Sequence, residues 1–298
     1  MPPPAIGRKR LTEPDYWDVI HLAGRASKPR AQHTQQAVAS PVGRRLKSQI
    51  KRVLGKRVLE LLRSYEDFLL WDVILPRYLS QRAGAKVVEI GSAPGNRLVR
   101  LKQRFGLIPY GIDYSRVGAE LNRDVFTDHG IDPENVIEAD FVASELPDQY
   151  REAFDVVLSG GFIEHFTDVG AIVQKHLRLL KPGGCLVVLI PNIKGVNLFL
   201  TWLCRRDVIP MHNLDIMKRE NFAALFDAQS LEPLFCGYSG TFNFYMFDTP
   251  SDSLMRFPLA VCQKVQLVLN LVFRSVFKDR GAESRWFSPC LIYVGIKR

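Results

Sequence analysis

Three acidic side chains close short apolar runs: Glu89 in Val87-Val88-Glu89-Ile90, Asp113 in Gly111-Ile112-Asp113-Tyr114, and Asp140 in Glu138-Ala139-Asp140-Phe141. The first run leads into Gly91-Ser92-Ala93-Pro94-Gly95-Asn96. Such small residues let a ligand approach the backbone, ahead of a helix N-terminus that favours negative charge. An acid at the end of a second strand can accept from a ribose diol, and one beside an aromatic can accept from an exocyclic amine and cover a flat base. A single acid at a strand end is most often a helix cap. Three at successive strand ends point to one ligand. A dinucleotide fingerprint needs G-x-G-x-x-G, but Ala93 and Asn96 take its second and third glycine positions.

This pattern resembles the class I S-adenosylmethionine-dependent methyltransferases. The likeness is carried by Glu89-x-Gly91-x-Ala93-x-Gly95, Gly111-Ile112-Asp113, Glu138-Ala139-Asp140-Phe141, Phe154-Asp155-Val156-Val157, Gly161-Phe162-Ile163-Glu164-His165-Phe166 and Leu179-Leu180-Lys181-Pro182-Gly183-Gly184. The resemblance covers roughly residues 80–235, in the family's order and spacing. It implies a Rossmann-like α/β fold, a doubly wound seven-stranded sheet with an antiparallel last strand, and S-adenosyl-L-methionine as cofactor. It implies that Glu89, Gly91, Ser92, Ala93 and Gly95 hold the methionine part. Asp113 with Tyr114 would take the ribose, Asp140 with Phe141 the adenine, and Ser159 and Gly160 would lie beside the reactive end. Ala93 stands where the family more commonly has glycine.

Methyl transfer from a sulfonium is an in-line displacement, so alignment supplies much of the acceleration and deprotonating a hydroxyl acceptor is the remaining task. His165 follows the fourth strand and has a reference pKa suited to a general base. His212 is the second choice. Glu164, Trp202 and Asn213 are expected at the acceptor. Glu164-His165 is similar to the E-x-x-E-H metal site of some relatives, but its first acid falls on Gly161, and no metal is expected.

Several elements must position these residues. Short apolar runs at Lys86–Ile90, Tyr110–Ile112, Val136–Ala139, Phe154–Leu158 and Cys185–Ile190 alternate with helical stretches, the mark of βαβ units. The Lys181-Pro182-Gly183-Gly184 turn ends a helix over Ile172–Leu180. A helix over Arg219–Gln229 and late strands at Leu231–Tyr238 and Pro289–Ile296 complete the domain, taken as residues 81–298. Two excursions read as lids, about 192–217 and 240–288. The second holds a helix over Leu259–Phe277 with a narrow polar stripe of Gln263, Gln266, Asn270 and Arg274. Such a helix is expected to be buried against its own domain or a twin subunit, with a membrane surface as the lesser alternative. Residues 1–80 read as a basic cap: a short helix around Tyr16–Leu22 and a helical pattern over Leu46–Leu79.

Almost all of the formal charge of +9 sits in that cap. Residues 1–70 hold 14 Lys and Arg against 6 Asp and Glu, leaving 26 against 25 for the rest. A phosphate clamp for RNA is therefore the runner-up function, and a non-catalytic cofactor-binding partner protein is the third. Against nucleic acid, Leu158-Ser159-Gly160-Gly161 lacks the D/N-P-P-aromatic motif of base-amine methylases, and a small-molecule acceptor leads. Five scattered cysteines without a C-x-x-C pair, and no secretory h-region, lead to a cytoplasmic expectation.

Overall fold

The computed structural model describes residues 10–12, 15–26, 63–250 and 252–298. The helical pattern expected from Leu46 begins outside the described residues. Its last part forms α2 (Tyr65–Phe68) and α3 (Leu75–Leu79), joined by a π-helical turn over Leu69–Ile74. The short helix near the N-terminus is α1, Tyr16–Ala26.

Seven strands form one sheet: β1 (Lys86–Ile90), β2 (Ile108–Asp113), β3 (Val136–Glu138), β4 (Phe154–Gly160), β5 (Leu180–Pro191), β6 (Leu231–Ser239) and β7 (Cys290–Lys297). Their order is β3-β2-β1-β4-β5-β7-β6, and β7 runs antiparallel to both neighbours. This is the seven-stranded α/β architecture expected above. The reason lies in alternation. Val88, Val157 and Val188 join the core on one face, while Val87, Val156 and Val187 join it on the other. A sheet buried on both faces needs such continuous apolar strands. Trp71, Ile74, Leu75 and Leu79 pack on the second face, so the described end of the cap shares the sheet's core.

The connecting helices are α4 (Asn96–Phe105), α5 (Arg116–Asp128) and α6 (Val169–Leu179). Most boundaries lie a few residues from the sequence reading, and two differ most. β5 starts at Leu180 because Leu180 already pairs with Phe154, and the Lys181–Gly184 turn is absorbed as a register shift before Val156 meets Cys185. The helix expected over Arg219–Gln229 stops as α8, Arg219–Ala223. Asp227 ends the segment by accepting from Gln229 N at 2.9 Å and Ser230 Oγ at 3.0 Å.

Two further helices come from the excursions: α7 (Val196–Arg205) and α9 (Arg256–Phe277). α9 is not buried against its own domain, which corrects that half of the expectation. Only Leu259, Gln266 and Asn270 are buried along it, and its apolar side faces outward. The polar stripe turns inward because loop 242–247 needs partners: Gln266 Oε1 accepts from Phe244 N at 2.9 Å, and Gln263 donates to the Phe247 carbonyl at 3.0 Å.

Candidate active site

A cavity of 680 Å³ opens at the carboxyl ends of the parallel strands. That is where an open α/β sheet holds its ligand. Gly91 and Gly95 shape its floor. Both have positive φ, 69° and 93°, which a side chain disfavours. A Cβ on Gly95 would also collide with Asn122 Oδ1. Asn122, from α5, donates to Ser92 Oγ at 2.7 Å. Ser92 therefore turns inward to pin the loop and does not line the cavity, and Gly95 acts through the turn alone.

Asp113 lies at the rim, nearly buried, where its oxygens accept from Ala93 N and Ser115 N, each at 3.0 Å. Burial raises its pKa. Beside it, burial pushes the Tyr114 hydroxyl up to about 12. Burial alone would raise Asp140 as well, but the N–H groups of Ala143 and Val142 and the Arg10 guanidinium overcome it and hold this carboxyl below its usual range. Arg10 donates to both Asp140 oxygens, at 2.9 and 2.8 Å, and stacks 4.3 Å from the Tyr114 ring centroid. Phe141 and Gly160 join the same lining. Lys175 of α6 fixes the loop behind Phe141 by donating to the carbonyls of Val142 and Ser144, at 3.0 and 2.9 Å.

Glu89 and Ser159 sit behind the wall. Burial raises Glu89 to about 7 even though Arg97 pairs with it. Arg97 lies against Gly160 and lines the cavity. The sequence reading passed over Arg97; its place in the first turn of α4, directly after the glycine turn that follows Glu89, is the signal that marks it. Tyr114 OH, Ser159 Oγ and Glu164 Oε2 are buried with no hydrogen-bond partner among the described residues. Orphaned polar atoms around a cleft suit a polar ligand.

The fourth strand delivers Glu164 and His165 to the far side. His165 Nδ1 is 2.8 Å from the Met211 carbonyl and His212 Nδ1 is 2.7 Å from that of Val208. Each ring therefore donates from Nδ1 and keeps Nε2 as an acceptor. Their centroids are 4.7 Å apart. Burial, then the neighbouring His212, lowers His165 to about 4, and burial raises Glu164 to about 8. His165 Nε2 is 3.9 Å from Glu164 Oε1. Glu164, His165 and His212 each present a ligand atom within 4.8 Å of the others, so this trio can hold a cation. No metal was expected because Gly161 lacks a carboxylate; the fold adds His212, from the 192–217 excursion, to Glu164 and His165.

Two expected acceptor residues sit elsewhere. Trp202 turns outward, 55% exposed, because α7 buries Asn197, Thr201 and Cys204 instead. Asn213 is a brace: its backbone N–H donates to the Glu164 carbonyl at 2.7 Å and its side chain to that of Phe166 at 3.1 Å. The acceptor side is lined by Cys204, Val208, Tyr245, Met246 and Phe247, from both lids.

Cover comes from residues no short-range pattern reveals. Leu11 N donates to the His165 carbonyl at 2.8 Å, and Arg10 bridges to Phe166. On α1, Trp17 meets His165 edge-on at 5.4 Å, Asp18 bonds Ser115 Oγ, and His21 faces Gly118 beside Asp113.

Comparison with known proteins agrees with this geometry. Residues 62–235 match a family model described as a methyltransferase domain. The chain is 30% identical over 139 residues to a ubiquinone biosynthesis O-methyltransferase of Chelativorans sp. (strain BNC1), covering 44% of this chain and 53% of that one. It is 33% identical over 146 residues to the protein of the same name from Rhodopseudomonas palustris (strain BisA53), with the same coverage of each. The chain thus spans about half the length of these curated relatives. Among solved structures, it resembles a geranyl diphosphate C-methyltransferase from Streptomyces coelicolor A3(2), crystallised with Mg2+, geranyl diphosphate and S-adenosyl-L-homocysteine, with a TM-score of 0.53 and 14% identity. That likeness covers 96% of this chain and all of the other, and at such identity it concerns the fold. A family model matched over more than half the chain, on strands that carry the acids and glycines above, makes this protein a member of the methyltransferase-domain family, an S-adenosylmethionine-dependent methyltransferase of class I.

Proposed function

We propose that the protein methylates a hydroxyl oxygen of a small molecule with an apolar scaffold, using His165 as general base. S-adenosylmethionine supplies, when bound, a methyl group already activated on a sulfonium. Asp113 accepts from the ribose hydroxyls, Asp140 with Phe141 and Tyr114 takes the base, and Arg97 meets the carboxylate of the methionine part. His165 accepts the hydroxyl proton at Nε2, the nitrogen left once Nδ1 donates to Met211. That tautomer at the cavity wall carries the reading. Burial keeps the imidazole neutral, the form a base needs. Oxygen is favoured over nitrogen because the curated relatives are named O-methyltransferases. A small acceptor is favoured by a cavity within the usual 300–1,000 Å³ (roughly) of ligand sites, with Val208, Met246 and Phe247 in its lining.

The test is methyl transfer from labelled cofactor to paired acceptors that differ only in bearing a hydroxyl or an amine, with RNA as competitor. Labelled hydroxyl product supports the reading. Preference for the amine, or labelled RNA, defeats it.

A second reading is favoured by the Glu164–His165–His212 trio. A divalent cation held by these residues would lower the pKa of a bound hydroxyl in place of a base. Dialysis against EDTA separates the two: unchanged turnover supports His165 as base, and loss restored by Mg2+ or Zn2+ supports the cation.

A further inference from the structure

α9 is inverted for a helix on a globular surface. Its amides point into the protein: Gln263, Gln266 and Asn270 bond loop 242–247, one another and Tyr65 N. Outward stand Phe257, Val261, Val265, Val268, Val272 and Val276, which are 43 to 77% exposed. Their spacing of four, four, three, four and four keeps them on one stripe about 29 Å long. Near its N-terminal end α9 shares a small core with α7, where Leu200, Leu203 and Cys204 join Leu259, and α7 also exposes Phe199 and Trp202. A face this large and continuous marks an interaction surface.

Charge decides the partner. α9 exposes Arg256 and Lys264 and contains neither Asp nor Glu, Arg274 being turned inward over Phe68, and exposed Lys278 and Arg280 follow it around Asp279. We propose that this face lies flat on an anionic membrane surface, with the valine stripe in the headgroup–acyl boundary and the basic residues at lipid phosphates. The helix is long and apolar enough to cross a bilayer. Its amide stripe, bonded to the rest of the domain, holds it on the protein and therefore in the membrane plane. A second copy of this chain fits the face less well. A two-fold antiparallel pair of these helices sets Lys264, close to mid-helix, near its own copy, with no acid on either helix to answer it. In a membrane the same ammonium extends along its stem to a phosphate.

This proposal does not depend on which acceptor is methylated. It is tested by sedimenting the full chain with phosphatidylcholine vesicles, with and without phosphatidylglycerol. Binding to the anionic vesicles is expected, and Val265→Asp with Val268→Asp should weaken it by about tenfold or more. Both positions are exposed, and cofactor affinity by calorimetry checks that the double variant is folded. If that variant does not fold, Lys264→Glu replaces it, with weaker binding to anionic vesicles expected. A full chain that stays in the supernatant overturns the proposal. So does vesicle binding that the folded variant leaves unchanged, which assigns the attraction to another basic region. A dimer in light scattering that the aspartates split, without vesicle binding, assigns the face to a second copy.

Discussion

His165 donates its Nδ1 proton to the carbonyl oxygen of Met211, 2.8 Å away, which ties the catalytic candidate from β4 to the first lid. Lid position and tautomer are thereby one property. Replacing His165 with Ala should lower turnover by about 10²–10⁴-fold while cofactor affinity changes little. His212→Ala should cost less. Steady-state rates and calorimetry check both, and wild-type turnover in His165→Ala removes the base role from this residue.

Asp113 ties down Ala93 N and Ser115 N, and the proposed function gives it the ribose as well. Asp113→Asn keeps an acceptor for the turn but loses the charge, and cofactor binding is expected to weaken by about tenfold or more. Asp113→Ala should also lower stability by roughly 1–3 kcal/mol, because it orphans nearly buried N–H groups. Calorimetry separates the two effects in the first variant; unchanged affinity there takes Asp113 out of the site.

Gly95→Ala is expected to be severe. The residue sits at φ 93°, and the new Cβ meets Asn122, the residue that pins Ser92. A cost of roughly 1–3 kcal/mol from backbone strain alone is expected. Thermal denaturation reads the loss, and cofactor affinity should fall with it.

His176 sets an acid limit on stability. It is fully buried between Phe141 and Phe162, and burial lowers its pKa to about 4. The unfolded chain binds a proton near the ordinary histidine value of 6.5 while the folded state resists it until about 4. Stability is therefore complete above 6.5 and drains as pH falls toward 4, by about 3 kcal/mol for this residue. His176→Phe should flatten this acid limb of the melting temperature. His165, shifted the same way, leaves a residual slope.

Much of the cofactor side was legible because it is local. Each strand end carries its own short signal, a small-residue turn or an acid, so Gly91, Asp113 and Asp140 are readable without the fold as residues that line the cavity. Arg10, Trp17 and His21 were not, since they reach the site across more than ninety positions of chain, as Asp18 does to Ser115. Trp202 was misplaced because an aromatic in a lid carries no sign of which side it faces. α9 shows the same limit. Periodicity revealed its two faces, but only loop 242–247, with backbone groups to satisfy, decided that the amides face inward.

The contact between Arg10 and Asp140 spans 130 positions, and Leu11 reaches farther still, to His165. During synthesis, then, residues 10–12 leave the ribosome well before the His165 carbonyl that Leu11 holds. The cleft is covered by a segment remote in sequence from its floor, and a variant lacking residues 10–26 would keep the strand-end acids without Arg10 and Trp17 over them.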